Sequence, residues 1–310
     1  MSDLPERLSL REVGPRDGLQ NEEPVPTAGK VALIDALSAT GIGRIEAVSF
    51  VHPRAIPQMA DAGEVWGAVA PAAGVRYSAL VPNLRGAERA LDAGFAELEV
   101  VVSASDTHNR RNLNRSTEES LDDLAAVVDL AHDRAASCQV IVSTAWGCPY
   151  EGDVPVERVL SVAGAALRHG ADSLSYGDTT GMATPSRVTR LVGETRSAYP
   201  DVALNLHFHN TRGTGLANVL AALQLGVADF DASVGGLGGC PYAPGATGNI
   251  ATEELVHMVE DMGVTTGVDL EAMIDVARQA ERLVGRTLPS QVLRAGPRTR
   301  TVTATPIREV

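Results

Sequence analysis

Residues 172–208 read DSLSYGDTTGMATPSRVTRLVGETRSAYPDVALNLHF and hold a strand, a helix and a second strand in sequence. The β-rich runs are 172–176 (DSLSY) and 203–208 (ALNLHF). Between them Val188, Leu191, Val192 and Thr195 recur at the helix period, with Arg190, Glu194 and Arg196 on other faces. Pro185 suits the first helical turn, where its missing N–H breaks no hydrogen bond. Such a unit is the crossover between parallel strands.

The alternation extends in both directions. Further strand-like runs lie at 8–13 (LSLREV), 44–50 (RIEAVSF), 75–81 (VRYSALV), 97–103 (ELEVVVS), 139–145 (QVIVSTA) and 229–234 (DFDASV), which makes eight with the first two. Gly41, Gly43, Gly74, Gly94, Gly170 and Gly226 precede strands, as expected where a helix ends and the chain turns. Thr27 and Ser116 read as helix caps, with Glu118 and Glu119 at the positive end of the second helix, and Pro155 as a first-turn proline. Eight β units alternating with helices predict an α/β fold, a (β/α)8 TIM barrel. A doubly wound open sheet is the alternative, weakened because no GxGxxG follows the first strand. After residue 250 the strand pattern stops, and 251–262 and 269–285 read as additional C-terminal helices. The second could be a lid, a barrel plug or a dimer contact. The reading is one catalytic domain over 1–295, with 296–310 as a flexible tail.

Composition narrows the function. Of 310 residues, 44% are hydrophobic, enough for a large core of small aliphatic side chains. The net charge of −13 argues against a nucleic-acid partner, though local arginines can still hold phosphates. Cys138, Cys148 and Cys240 have neither zinc-site nor disulfide spacing, which fits a reducing cytoplasm. No apolar run is long enough for a membrane span, and no targeting pattern precedes the first chemistry-bearing residues.

In a barrel the reacting groups sit at the C-terminal strand ends. The first strand runs into Val13-Gly14-Pro15-Arg16-Asp17-Gly18, either a surface ion pair or a shaped turn presenting a carboxylate. The seventh ends in His207-Phe208-His209-Asn210, and residues two apart on a strand share a face. Two imidazoles side by side at a strand end suit a divalent metal. The eighth runs into Gly235-Gly236-Leu237-Gly238-Gly239-Cys240, a glycine loop that delivers one thiol to the mouth. Asn249 follows, as a helix cap or an oxygen ligand. Asp17, His207, His209 and Asn249 together offer two oxygens and two nitrogens, a set that suits Mg2+ or Mn2+ ahead of Zn2+.

These segments resemble the 3-hydroxy-3-methylglutaryl-CoA lyase family. The resemblance covers roughly residues 10–262, through EVGPRDGLQNE (12–22), EAVSFV (46–51), PNLRG (82–86) and GCPYEG (147–152). It continues in GDTTG (177–181), HFHNT (207–211) and GGLGGCPYAPGATGN (235–249). It implies a metal-dependent carbon–carbon lyase acting on an acyl-CoA, with coenzyme A as part of the substrate, a homodimer, and a place in leucine catabolism. It also implies Arg16 as substrate-polarising residue and Asp17, His207, His209 and Asn249 as metal ligands. Cys240 matches the loop cysteine, Glu46 and Asp178 acidic residues lining the site, and Gln20 and Ser175 neighbouring polar positions. The proton abstraction is open at this point among Asp17, His207 and a water held by Asp178.

The chain also departs from the family. Asn210 stands where Asp is common, Arg212 where Tyr is, Glu23 where Lys is, and His52 where Ser is. Polar residues fill 104–108 (ASDTH) where apolar ones are usual. Arg212 and His108 are therefore read as possible anion contacts for a different acyl group. Arg110, Arg111 and Asn112 are read as substrate-binding, the arginines on coenzyme A phosphates, within a loop at 107–115. The alternatives are a lyase for another 3-hydroxy-3-substituted acyl-CoA and a synthase condensing acetyl-CoA with a 2-keto acid.

Overall fold

Eight parallel strands close on themselves in chain order, with β1 pairing β8. They are β1 Ser9–Glu12, β2 Arg44–Ser49, β3 Arg76–Leu80, β4 Glu97–Ser103, β5 Ser137–Ser143, β6 Ser173–Asp178, β7 Leu204–Phe208 and β8 Asp229–Ala232. The computed structural model describes residues 4–239 and 247–301. The strands sit where the eight β-rich runs predict, and the closed ring excludes the open sheet.

Around them stand α1 Thr27–Ser38, α2 Ala62–Ala68, α3 Leu84–Asp92, α4 Asp106–Leu113, α5 Thr117–Asp133, α6 Val156–Arg168, α7 Pro185–Ala198 and α8 Gly215–Leu223. The chain continues with α9 Thr252–Asp261, α10 Leu270–Val284 and α11 Gln291–Ala295. Alternation along each strand separates two environments. Leu10, Ile45, Ala79, Leu98, Val140, Leu174, Leu206 and Phe230 are buried in one apolar core between strands and helices. The inward positions are unusually polar: Arg11, Ser78, Glu99, Gln139, Ser175, Asn205 and Asp231 are all buried.

Helix starts follow local chemistry. Ser116 caps α5 through a full capping box with Glu119. Pro185 opens α7 as predicted. Pro155 falls one place earlier than expected, at the N-cap of α6, because its ψ of 141° is extended. Thr27 is the first residue of α1, not its cap; its hydroxyl donates to Asp61 Oδ2 at 2.6 Å. The segment 107–115, expected as a loop, is largely helix α4. Ser105 Oγ accepts the His108 N–H at 3.1 Å, Asp106 occupies the first turn, and Asn114 ends it at φ 55°.

The second C-terminal helix, α10, packs against the Val234–Gly236 turn that follows β8, against α1 and against α9. The approach to α1 is close: a Cβ on Gly29 would lie 2.5 Å from Leu283 Cδ1. The start of the expected tail is tied down, since Arg298 pairs with Asp261 and Arg300 with Glu271. Residues 302–310 lie outside the described residues. Among the described residues no helix is long and apolar enough to cross a membrane.

Candidate active site

Beyond Glu12 the chain tightens into a one-turn helix, Gly14–Gly18, in which the Val13 carbonyl accepts the N–H groups of Arg16, Asp17 and Gly18. This turn aims Asp17 across the barrel mouth. It fits only because Gly18 lacks a side chain: a Cβ there would lie 2.8 Å from Leu237 Cβ. Glu12 joins the turn to the segment after β8. Its carboxylate accepts Gly14 N at 2.8 Å, Val234 N at 2.9 Å and Thr252 Oγ1 at 2.6 Å. Burial pushes Glu12 up to about 7 against the pull of these three donors.

At the other side of the mouth the end of β7 pairs with the chain around Asn249. Asn210 N donates to Gly248 O at 2.6 Å, and Ile250 N to Phe208 O at 3.3 Å. Asn249 thereby reaches Asp17, with its Nδ2 2.8 Å from Asp17 Oδ2 and 3.1 Å from Leu237 O. His207 and His209 project together, their ring centroids 5.1 Å apart. One ligand atom each from Asp17, His207 and His209 lies within 4.8 Å of the others. Asn249 Oδ1 and His209 Nδ1 are buried without any hydrogen-bond partner. A buried amide oxygen and a ring nitrogen left without partners beside a carboxylate are groups a hard divalent cation would satisfy, so the donor set fits one.

Arg16 lies between two carboxylates, with Nη1 2.6 Å from Asp17 Oδ1 and Nη2 2.6 Å from Glu46 Oε2. Gln20 Nε2 donates to Asp17 Oδ1 at 2.7 Å. Burial opposes ionisation of Asp17, but the Arg16 charge, the two histidines and the Asn249 hydrogen bond hold it at about 2. Glu46 goes the other way. Burial, with nearby Glu99, outweighs Arg16 and pushes it up to about 8. At the end of β6, Asp178 Oδ1 accepts Met182 N at 2.7 Å and Ala183 N at 3.1 Å, while Oδ2 is buried and unpartnered. Burial raises Asp178 to about 6 despite those hydrogen bonds. Burial and then His207 lower His209 to about 4, which leaves it neutral near pH 7.

Other sequence-predicted residues lie farther from this cluster or do other things. Ser175 belongs to the polar barrel interior, where its Oγ accepts Asn205 Nδ2 at 2.9 Å. Arg212 is exposed, and its Nη1 donates to the carbonyls of Thr180 at 2.7 Å and Gly181 at 3.0 Å. His108 is 3% exposed, 3.1 Å from Ser103 Oγ, and burial lowers its pKa. The ring thus lies in the interior at the start of α4. Arg110 pairs with Asp106 on the surface of α4, Arg111 stacks 4.4 Å over the Tyr150 ring, and Asn112 is exposed. Cys240 lies outside the described residues.

Sequence reading missed the support beneath the site. Asp231 Oδ2 is 3.2 Å from His207 Nδ1, and Arg11 grips both oxygens of Asp231 at 2.8 Å. The available signal was alternation: in LSLREV and DFDASV, Arg11 and Asp231 fall on the opposite side of the strand from the apolar Leu10 and Phe230.

The HMGL-like family model matches residues 7–279. The chain belongs to the HMGL-like family. A hydroxymethylglutaryl-CoA lyase of Bacillus subtilis is 47% identical over 290 residues, covering 93% of this chain and 97% of that protein. An (R)-citramalyl-CoA lyase of Chloroflexus aurantiacus is 44% identical, covering 94% and 96%. A solved HMG-CoA lyase from Acinetobacter baumannii, in complex with coenzyme A and 3-methylmalate, superposes with a TM-score of 0.93 at 44% identity, covering 98% of this chain and 100% of that one. Similar identities to proteins with different acyl groups show that HMGL-like membership does not by itself fix the acyl group.

Proposed function

We propose that this HMGL-like protein cleaves a 3-hydroxy-3-methylglutaryl-CoA-like thioester by retro-Claisen chemistry into acetyl-CoA and a keto acid. One observation carries the reading: Asp17, His207 and His209 converge at the barrel mouth beside the buried, unpartnered Oδ1 of Asn249. The named activity of the Bacillus subtilis relative supports the substrate class.

Asp17, His207, His209 and Asn249 would hold the divalent cation, Mg2+ or Mn2+ by their hard oxygens. Bound there, it supplies a Lewis acid for the substrate oxygens. Arg16 would stabilise negative charge growing on the thioester oxygen. The 3-hydroxyl must lose its proton, the C2–C3 bond then breaks, and its electrons pass into a thioester enolate. Asp178 is the candidate base, directly or through a water, because its Oδ2 has no other partner. Asp17 is less suited, since Arg16, Gln20 and Asn249 already occupy its oxygens. Cys240 is the candidate acid that protonates C2 of the enolate. Glu46, whose carboxyl burial pushes upward, contacts Arg16 and orients it.

Arg110 and Arg111 are assigned to coenzyme A phosphates, with Asn112 and Arg212 toward the acyl part. Support comes from placement: α4 follows β4 on the catalytic face. A homodimer and a cytoplasmic location complete the proposal; buried free Cys138 and Cys148 fit a reducing compartment.

A product assay with hydroxymethylglutaryl-CoA and citramalyl-CoA, with Mg2+ or Mn2+, tests the reading. Acetyl-CoA release from the first substrate, abolished by chelator, is expected. Metal-independent cleavage, or cleavage of neither thioester, would overturn it.

A further inference from the structure

Nothing in the proposed chemistry accounts for the charged interior below the metal cluster. Arg11 is 1% exposed, one of the largest fully buried side chains in the chain. Its Nε donates to Asp231 Oδ1 and its Nη2 to Asp231 Oδ2, each at 2.8 Å. Its Nη1 donates to Gln139 Oε1 at 2.8 Å and pairs with Glu99. Burying a guanidinium with two carboxylates is no efficient route to stability, since an apolar core of the same volume is often at least as stable. A network retained directly under a candidate metal ligand points to a positioning task.

We infer that Asp231, held by Arg11, fixes His207 as the Nδ1–H tautomer and so presents an unprotonated Nε2 to the metal site. The inference rests on the metal reading above and deepens it. It follows from counting donors. Asp231 Oδ1 already receives Arg11 Nε and, at 3.0 Å, Asn205 Nδ2. Asp231 Oδ2 receives Arg11 Nη2. A guanidinium has only donors, so a carboxylate gripped on both oxygens in this way is an acceptor on both. The one remaining contact, His207 Nδ1 at 3.2 Å from Oδ2, must then be a donation from the ring. The Asn205 orientation agrees, because the flipped amide would set an oxygen against the carboxylate. The arrangement is the carboxylate–histidine pairing that orients metal ligands elsewhere.

With Nδ1–H committed to Asp231 and Nε2 to the cation, His207 has no nitrogen left to take the substrate proton. His207 is then a ligand only, and the proton falls to Asp178.

The test uses the full chain labelled with 15N at its seven histidines. Two-bond 1H–15N correlation spectra of the metal-free wild type, with His207→Gln to identify the signal, read the tautomer directly. The Nδ1–H pattern is expected for His207; the Nε2–H pattern overturns the inference. In Asp231→Asn the pattern should become mixed, and Mn2+ affinity, read by electron paramagnetic resonance, should fall by roughly 10–100-fold. A folded Asp231→Asn protein that binds Mn2+ within about twofold of wild type also overturns it. Failure of that variant to fold leaves the wild-type spectrum as the decision. Absence of Mn2+ binding in the wild type would defeat the metal reading, while the tautomer would still decide the pairing.

Discussion

Asn249 Nδ2 lies 2.8 Å from Asp17 Oδ2, joining two residues 232 positions apart in the chain. The contact orients the amide: its nitrogen is spent on Asp17 and on the Leu237 carbonyl, and its oxygen is left buried and unpaired. Asn249→Ala should therefore weaken Mn2+ or Mg2+ binding by roughly 10–100-fold, the scale for losing one contributor to a metal site. Isothermal titration of the purified variant gives the number. Wild-type affinity in a folded variant would remove Asn249 from the ligand set.

The pH dependence should report Asp178. Burial pushes its carboxyl up to about 6, and a base must be unprotonated to act. Activity should therefore rise as pH increases through about 6 and fall as pH drops below it. Asp178→Asn should lower kcat by roughly 10²–10⁴ and flatten that acid limb. An unchanged limb in the variant would assign it to another group, with the metal ligands next in line.

Cys240 can be tested without structural detail. Cys240→Ser should preserve folding and metal affinity while kcat falls by roughly 10²–10⁴, the range for a positioned acid. Circular dichroism, metal titration and turnover on the same preparation make the comparison. Near-normal turnover would exclude the thiol from the reaction.

Arg110 and Arg111 divide binding from chemistry. The Arg110–Asp106 pair is exposed and contributes little to stability, so its loss should leave the fold intact. The double variant Arg110→Ala, Arg111→Ala should raise KM for the thioester on the order of tenfold, the worth of one charged hydrogen bond. Metal affinity should not move. Unchanged KM would mean that the phosphates are held elsewhere.

Much of the fold was legible because it depends on local periodicity. LNLHF alternates at period two, and Val188, Leu191, Val192 and Thr195 repeat at the helix period, whatever the rest of the chain does. The segment at 107–115 was misread because a polar stretch rich in Arg and Asn has no apolar stripe. The cap at Ser105 and packing at the barrel rim make it a helix all the same. The burial of His108 was not legible for a related reason. Its ring turns inward to Ser103, and burial cannot be read from polarity alone.

The eight-fold alternation, the strand-end placement of Asp17, His207 and His209, and the family could be read without coordinates, because each is written in short stretches of neighbouring residues. The folded chain adds what no stretch of neighbours could specify: Asn249 spends its amide nitrogen on Asp17 and leaves its oxygen buried and unpaired, and α10 packs beside α1. The same holds for the shared environment that raises Glu46 and lowers Asp17. It alone decided that Arg11 of the first strand grips Asp231 of the eighth beneath His207 of the seventh. Ring closure explains the difference. It brings residues from opposite ends of the chain within hydrogen-bond reach inside a space that excludes water. There, each charge and each unpaired lone pair is set by its neighbours across the barrel and not by those along the chain.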